Sequence, residues 1–388
     1  MSVSCAPLFS VGQRRGGLSG CLRRPFALFV ASVAGVSAAS HVASAEDREG
    51  PAIVSPGFHR LGPTSTLSVV WVGHSLMEHK ADSSWGRVDL MSLVGKFAES
   101  RKLSHAMRDN TLYGSPLSAL WRGRPHSFSR DASEMIAKRE ALERDAAQYD
   151  AIVLTEAVPL SGTMRNEFSP YYLRRFSCAV LKANPRARVY LYQSWVDFQG
   201  SHPENANAAL VGSAWRAEMK AERVLWDELA DAARKPAVAA PHWLSRLGWS
   251  SISDGGCANE DPIYSVPVGN ALLALDERLS ASATGNSFQW PDGRALQMAD
   301  MVANPMVSSQ AGAPALRDPS KPRDSIHASF AGIYFAALVH FATLYRQTPV
   351  DLPYPSELGE GLAESLQCVA WETVTSDPRA GVLGEAVC

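Results

Sequence analysis

LSVVWVGHSLMEH, Leu67 to His79, is a run of apolar and β-branched residues that breaks off at Gly-His-Ser. Leu67, Val69, Val70, Trp71 and Val72 give almost no polar relief. A strand with apolar residues at every position suits a parallel sheet covered on both faces. Gly73 permits a tight turn, and Ser75 stands where the chain leaves the sheet. In open α/β sheets that carboxyl edge is where ligands bind. Ser75 is therefore either a turn hydroxyl capping the next helix or a nucleophile on display.

Downstream, apolar runs alternate with helical patterns. A helix is expected near Val88–Arg101 and a second strand at Ser104–Arg108, followed by a loop carrying Gly114. The charged stretch DASEMIAKREALERDAAQYD reads as an amphipathic helix and leads into a third strand at Ala151–Thr155. Ser169-Pro170 reads as an N-cap with proline at the first helical position. The helix that follows places Leu173, Phe176, Val180 and Leu181 on one face and stops before Asn184-Pro185.

RARVYLYQSW is a fourth strand, and about Gly212–Lys235 is a helix with Trp215, Met219, Trp226 and Leu229 on one side. PIYSVPVGNALLALDERL is a fifth strand-to-helix unit. HASFAGIYFAALVHFATLYR is a strong helix whose Phe330, Ile333, Tyr334, Ala337, Leu338, Phe341 and Tyr345 step by three and four, leaving His340 off the apolar face and solvated. Alternating strands and helices predict an α/β fold, a three-layer α/β/α sandwich on a mostly parallel, doubly wound, flavodoxin-like sheet.

The chain of 388 residues is long enough to bury a sizeable core, and its net charge of −2 points to no nucleic-acid partner. The first 45 residues differ from the rest. They hold Arg14, Arg15, Arg23 and Arg24, no acidic residue, the apolar stretch PFALFVASVAGVSAA and then Ala43-Ser44-Ala45. This is the pattern of a cleaved export signal, Sec or, through Arg23-Arg24-Pro25-Phe26, twin-arginine. The apolar run falls short of the ~20 residues a bilayer span needs.

Removing the four arginines leaves 33 basic against 39 acidic residues. A periplasmic or secreted location is expected, with no stable membrane span after signal removal. The expected organisation is signal 1–45, lead-in 46–65, a catalytic domain 66–347 with a loop-rich insertion near 280–323, and a tail 348–388 with little core of its own. Cys178, Cys257, Cys368 and Cys388 survive processing and allow three pairings, with Cys368–Cys388 the expected one. No C-x-x-C spacing marks a structural zinc site.

A serine hydroxyl needs a base to take its proton, commonly a histidine oriented by a carboxylate. RDSIHAS, just before the last strong helix, offers Asp324 and His327 three residues apart. The Asp324 carboxylate is placed to accept the Nδ1 proton of His327, leaving Nε2 for a partner. HSLMEH invites a metal reading through His74, Glu78 and His79, but its spacing misses both zinc-protease helices. No metal is expected.

A strand ending in GHSL near the mature N-terminus, with DSIH before a C-terminal helix, resembles the SGNH (GDSL-type) hydrolase family. The resemblance runs in order from about Leu67 to Tyr345, with only the two end blocks specific. It implies the three-layer α/β/α fold and ester hydrolysis without a cofactor, with Ser75 as nucleophile, His327 as base and Asp324 as its partner.

The family's second block supplies an oxyanion-hole glycine, best matched by Gly114, beside the Ser75 N–H. At the third block's usual asparagine stands Glu156. A protonated Glu156 could donate to an oxyanion, an ionised one would repel it, and a structural pair with Arg165 is a further reading. Asn110 or Gln193 could fill the place instead. His74 replaces the first block's aspartate.

The expected partner is a small-molecule or glycan ester, with O-acetylated carbohydrate preferred and a small lipid ester next. Trp121 and Trp195 are the candidates for stacking on a sugar. An O-acyltransferase and a non-catalytic secreted glycan-binding protein on the same scaffold are the alternatives.

Overall fold

The apolar run that opens the chain's fold hides an alternation of period two. In the computed structural model Leu67, Val69 and Trp71 enter one hydrophobic cluster and Val70 and Val72 another. Both faces of the strand are covered, so neither set of positions needed polar residues. The structure describes residues 58, 60–124, 132–198, 208–235, 238–239, 251–252, 262–281, 288–302, 304–305, 323–324 and 326–385.

In chain order the strands are β1 (Thr66–Gly73), β2 (Ala81–Ser83), β3 (Gly86–Val88), β4 (Ser104–Thr111), β5 (Ala151–Leu154), β6 (Arg188–Tyr192), β7 (Val238–Ala239), β8 (Ser251–Ile252), β9 (Tyr264–Val266), β10 (Asn304–Pro305) and β11 (Arg323–Asp324). The helices are α1 (Ser75–Glu78), α2 (Leu90–Ser100), α3 (Leu117–Arg122), α4 (Ala132–Asp145), α5 (Leu160–Asn166), α6 (Ser169–Ala183) and α7 (Ala208–Arg234). Four more follow: α8 (Val268–Ala281), α9 (Met298–Val302), α10 (Phe330–Tyr345) and α11 (Glu360–Ser376).

Five strands form the central sheet in the order β4-β1-β5-β6-β9, all parallel. Counted along the sheet's own strands this is the flavodoxin-like order, whose direction reverses between β1 and β5. One face carries α2, α8, α10 and α11, through Leu93, Phe97, Leu272, Phe341 and Leu366. The other carries α3, α4, α6 and the second half of α7, through Leu120, Leu142, Phe176, Trp226 and Leu229. The expected α/β/α sandwich is therefore the observed one.

The edge strand β4 is mostly exposed until Asn110 and Thr111, as its mixed sequence SHAMRDNT requires. Asp89 caps α2 in a reciprocal box with Ser92. The N-cap of α6 is Phe168, in the left-handed region at φ 61°, and not Ser169, which lies inside the helix. Trp215 and Met219 of α7 join the opposite cluster from Trp226 and Leu229, so the helix does not present a single buried stripe.

Two expectations fail in the last third of the chain. The segment 348–388 is no bare tail: α11 buries Leu362, Leu366, Val369, Ala370 and Trp371 in the main core. Leu61 donates its N–H to Gly381 at 2.8 Å and bridges Val382, so the two ends of the fold are tied together. In α10 every residue from Ala331 to Tyr345 is buried, His340 included. The helix is enclosed on all sides, so lying off the apolar stripe did not place His340 in water.

Within 280–323, Phe288, Leu296, Met298 and Met301 pack into the core, and residues 306–322 lie outside the described residues. Cys178 and Cys368 are both disulfide-bonded, while Cys257 and Cys388 lie outside the described residues. The expected export signal at 1–45 and most of the expected lead-in 46–65 fall outside them too. Among the described residues no helix is long and apolar enough to cross a membrane.

Candidate active site

At the carboxyl edge of the sheet, where the strand order reverses, the segments after β1, β4 and β5 meet the one before α10. They enclose a cavity of about 500 Å³ whose lining includes Ser75, Gly114, Val158, Asn166 and His327. Ser75 and His327 come from opposite ends of the chain, and the parallel topology brings them to one pocket. Away from Ser75 and His327 the wall is largely apolar (Leu76, Pro116, Val158, Pro159 and Ile326), with Thr163, Asn166 and Glu167 adding polar groups.

Ser75 is the first residue of α1, directly after the turn at Gly73 and His74. A Cβ on Gly73 would stand 2.6 Å from the Thr155 methyl carbon and 2.9 Å from the Met77 sulfur. Any larger residue there would have to displace these two buried side chains. As the first residue of a helix, Ser75 has an N–H with no intrahelical acceptor. Gly114 has φ +65°, a left-handed turn conformation. Among the described residues no backbone carbonyl accepts from the N–H of Ser75 or of Gly114. Both line the cavity.

His74 replaces an aspartate in the resembled block and is a structural cross-link. Its Nε2 donates to the Glu156 carbonyl at 2.9 Å, which leaves Nδ1 to accept the Leu76 N–H at 3.5 Å. Burial, with the neighbouring His327 adding to it, holds the His74 pKa down at about 4. The ring is therefore neutral at pH 7, and the loop after β1 is clipped to the loop after β5.

Glu156 is fully buried but does not line the cavity. Its Oε1 accepts from Ala157 N at 2.8 Å and from Leu117 N at 3.1 Å. Leu117 opens α3, whose N-cap Pro116 has no side-chain cap bond, so the Glu156 carboxyl does the capping from another segment. Burial raises its pKa to about 7, against the pull of those N–H donors. The expected oxyanion or Arg165-pairing roles give way to this one.

Asn110 and Gln193 do not line the cavity either. Asn110 is buried in β4 opposite Val72, and Gln193 donates to Asp227 at 3.4 Å. The asparagine that does line the cavity is Asn166, at the end of α5, a position that no sequence motif marks.

His327 is buried in the cavity wall. Its Nδ1 lies 3.3 Å from the Tyr113 hydroxyl, and its ring packs on those of His79 (centroids 4.6 Å apart) and Tyr113 (5.1 Å). Neither neighbour was predicted: Tyr113 is simply the residue before Gly114, and His79 stood out only for a metal. Asp324 lies in β11, paired through its backbone with Asn304. Its side chain lies outside the described residues.

Trp195 is buried, and its Nε1 donates to the Ile326 carbonyl at 2.8 Å, pinning the residue before His327. Trp121 packs edge-on against Phe176, with the Arg175 guanidinium over its ring. Neither tryptophan lines the cavity, so the sugar-stacking expectation has no support in the geometry. Glu78 accepts from the Thr111 hydroxyl, and among the described residues no group of three or more His, Cys, Asp or Glu could hold a metal ion.

No family model matches the chain, and no curated protein matches it. Solved structures similar to it include a DUF4886 family protein from Bacteroides uniformis, at 13% identity over 80% of this chain and 95% of that one, TM-score 0.43. Another is described as a GDSL-like lipase from Parabacteroides merdae, at 10% identity over 73% and 97%, TM-score 0.35. A third is an acetyl xylan esterase from Geobacillus stearothermophilus, at 11% identity over 61% and 90%, TM-score 0.30. At these identities and scores the likenesses carry neither an activity nor a substrate over to this chain.

Proposed function

We propose that this chain is an exported serine ester hydrolase that works through a covalent acyl-enzyme. The observation that carries the reading is that Ser75, Gly114 and His327 line one cavity at the switch point of the sheet. Ser75 Oγ attacks the acyl carbonyl while His327 Nε2 takes its proton, and Nδ1 faces the Tyr113 hydroxyl. The N–H groups of Ser75 and Gly114 receive the charge that develops on the carbonyl oxygen.

The protonated His327 then gives its proton to the departing alcohol. Water, activated by the same ring, releases the acid. Asp324 is assigned as the acidic partner of His327 on its spacing in the chain. The apolar wall of Leu76, Val158 and Pro159 suits a short acyl group, and the polar members Thr163, Asn166 and Glu167 suit a hydroxylated alcohol. An O-acetylated carbohydrate combines the two.

A serine-directed fluorophosphonate probe tests the mechanism. Labelling of the parent that is lost in both Ser75→Ala and His327→Ala is expected. A folded parent that does not label would leave the glycan-binding reading. Acetate release from acetylated glycans, compared with an acyl-chain series of simple esters, tests the substrate class.

A further inference from the structure

At the opposite edge of the sheet the amino ends of β1, β5 and β6 border a second cavity, of about 320 Å³. Three arginines line it, Arg186, Arg188 and Arg346, against one acid, Asp150. The Asp150 carboxylate already accepts the Ser68 N–H through Oδ2 at 2.9 Å.

Arg346 is the unusual member. It is 5% exposed, and its Nε and Nη1 are buried without a hydrogen-bond partner. Guanidinium groups stay charged in proteins and are buried when paired. Arg346 is also the C-cap of α10, in the left-handed region at φ 56°, so part of its charge is met by the helix terminus. That terminus carries only about half an elementary charge, and one of its carbonyls, that of Tyr345, is already taken by the Thr64 N–H at 3.1 Å. Half a charge, partly spoken for, does not balance a buried cation with Arg188 and Arg186 on the same cavity.

We propose that this cavity is an oxyanion-binding site for a phosphoryl group, held by Arg186, Arg188 and Arg346. The class follows from the donors. Guanidinium forks match the paired oxygens of phosphate, and three of them from a strand start, a loop and a helix end surround a tetrahedral anion better than a flat one. The net charge of the lining side chains is positive, and the half-open cavity lets a small ion in while keeping Arg346 out of bulk water. The site is separate from Ser75 and does not depend on the ester-hydrolase reading.

The test is thermal unfolding and calorimetric titration of the full chain with inorganic phosphate and with glucose 1-phosphate, at ionic strength held constant with chloride. A saturable calorimetric isotherm is expected, together with a midpoint that rises with the logarithm of ligand concentration above Kd. Kd should weaken at least tenfold in Arg188→Ala and in Arg186→Ala and stay unchanged in Ser75→Ala. Tighter binding of inorganic phosphate assigns the free ion, and tighter binding of the sugar phosphate assigns a phosphoryl group on a larger molecule.

Arg346→Met should abolish binding; should it not fold, the Arg186 and Arg188 variants still decide, since Arg186 is exposed and Arg188 only half-buried. A midpoint that phosphate leaves where chloride of equal ionic strength leaves it, or equal Kd values in parent and both alanine variants, overturns the proposal.

Discussion

The Tyr113 hydroxyl stands 3.3 Å from Nδ1 of His327. A histidine that accepts a proton on Nε2 must keep its own on Nδ1, so Tyr113 meets the ring at the atom that sets its tautomer. Tyr113→Phe keeps the ring packing and removes the oxygen. In a short-chain ester assay kcat/KM should fall about tenfold, or about 1.4 kcal/mol, with KM little changed. Asp324→Asn should cost about a thousandfold or more if the carboxylate is the principal partner. Equal, small losses in both variants would take the acid role away from Asp324.

Trp195 bears on the proposed base, His327, at one remove. Its Nε1–H holds the Ile326 carbonyl at 2.8 Å, so the segment entering His327 cannot slide. Trp195→Phe retains most of the buried ring and removes the donor. Steady-state kinetics should show kcat down about tenfold and KM within about twofold, because misplacement of a reacting group is felt in the chemical step. A rise in KM alone would mean that Trp195 shapes the cavity and not the base.

Glu156 should make the fold sensitive to alkali. Its folded pKa of about 7 lies above the ordinary 4.5, so the folded state holds the proton more tightly than the unfolded chain. The favourable contribution is whole below pH 4.5 and is lost as pH rises through 7. Glu156→Gln keeps an oxygen for Leu117 and Ala157 and cannot ionise. Denaturant unfolding at pH 8 should find it more stable than the parent by about 2–4 kcal/mol, with the gain gone at pH 4. A variant that is weaker at pH 8 would show that the carboxylate is needed as an anion.

His340 should act with the opposite sign. Burial holds its pKa at about 3, below the ordinary 6.5. The unfolded chain therefore takes up a proton that the folded one refuses, and stability is lost as pH falls from 6.5 towards 3. At pH 4 the loss is about 3 kcal/mol. Its ring lies 4.5 Å from that of Tyr192 and 5.3 Å from that of Trp71, an aromatic setting that phenylalanine can occupy. His340→Phe should flatten urea midpoints between pH 7 and pH 4. His74, at about 4, supplies a second acid-labile contribution that the variant leaves in place.

What the sequence made legible is what repeats along it. The Leu67–Val72 run is nearly unbroken apolar, the helix around Leu173–Leu181 and the strong helix ending at Tyr345 step by three and four, and from these the layers and the place of Ser75 follow. What it concealed depends on contacts between distant segments. The Glu156 carboxyl caps a helix 39 residues away in the chain, and no local pattern marks that. Tyr113 and His79 reach His327 because β1 and β4 are neighbours, a pairing visible only in the sheet order. His340 was misread because a stripe pattern presumes one wet face, and α10 has none. The C-terminal helix α11 was read as tail because its apolar positions are interleaved with Glu360, Glu364 and Glu372.

The clasp between Leu61 and Gly381 bears on how much of this chain can be cut away. α11 is the last piece of a layer begun by α2, and Leu362, Leu366, Val369 and Trp371 fill space beside helices made far earlier in the chain. Shortening the protein before Glu360 would uncover that apolar surface, so such a fragment should be recovered as insoluble material instead of a smaller working protein.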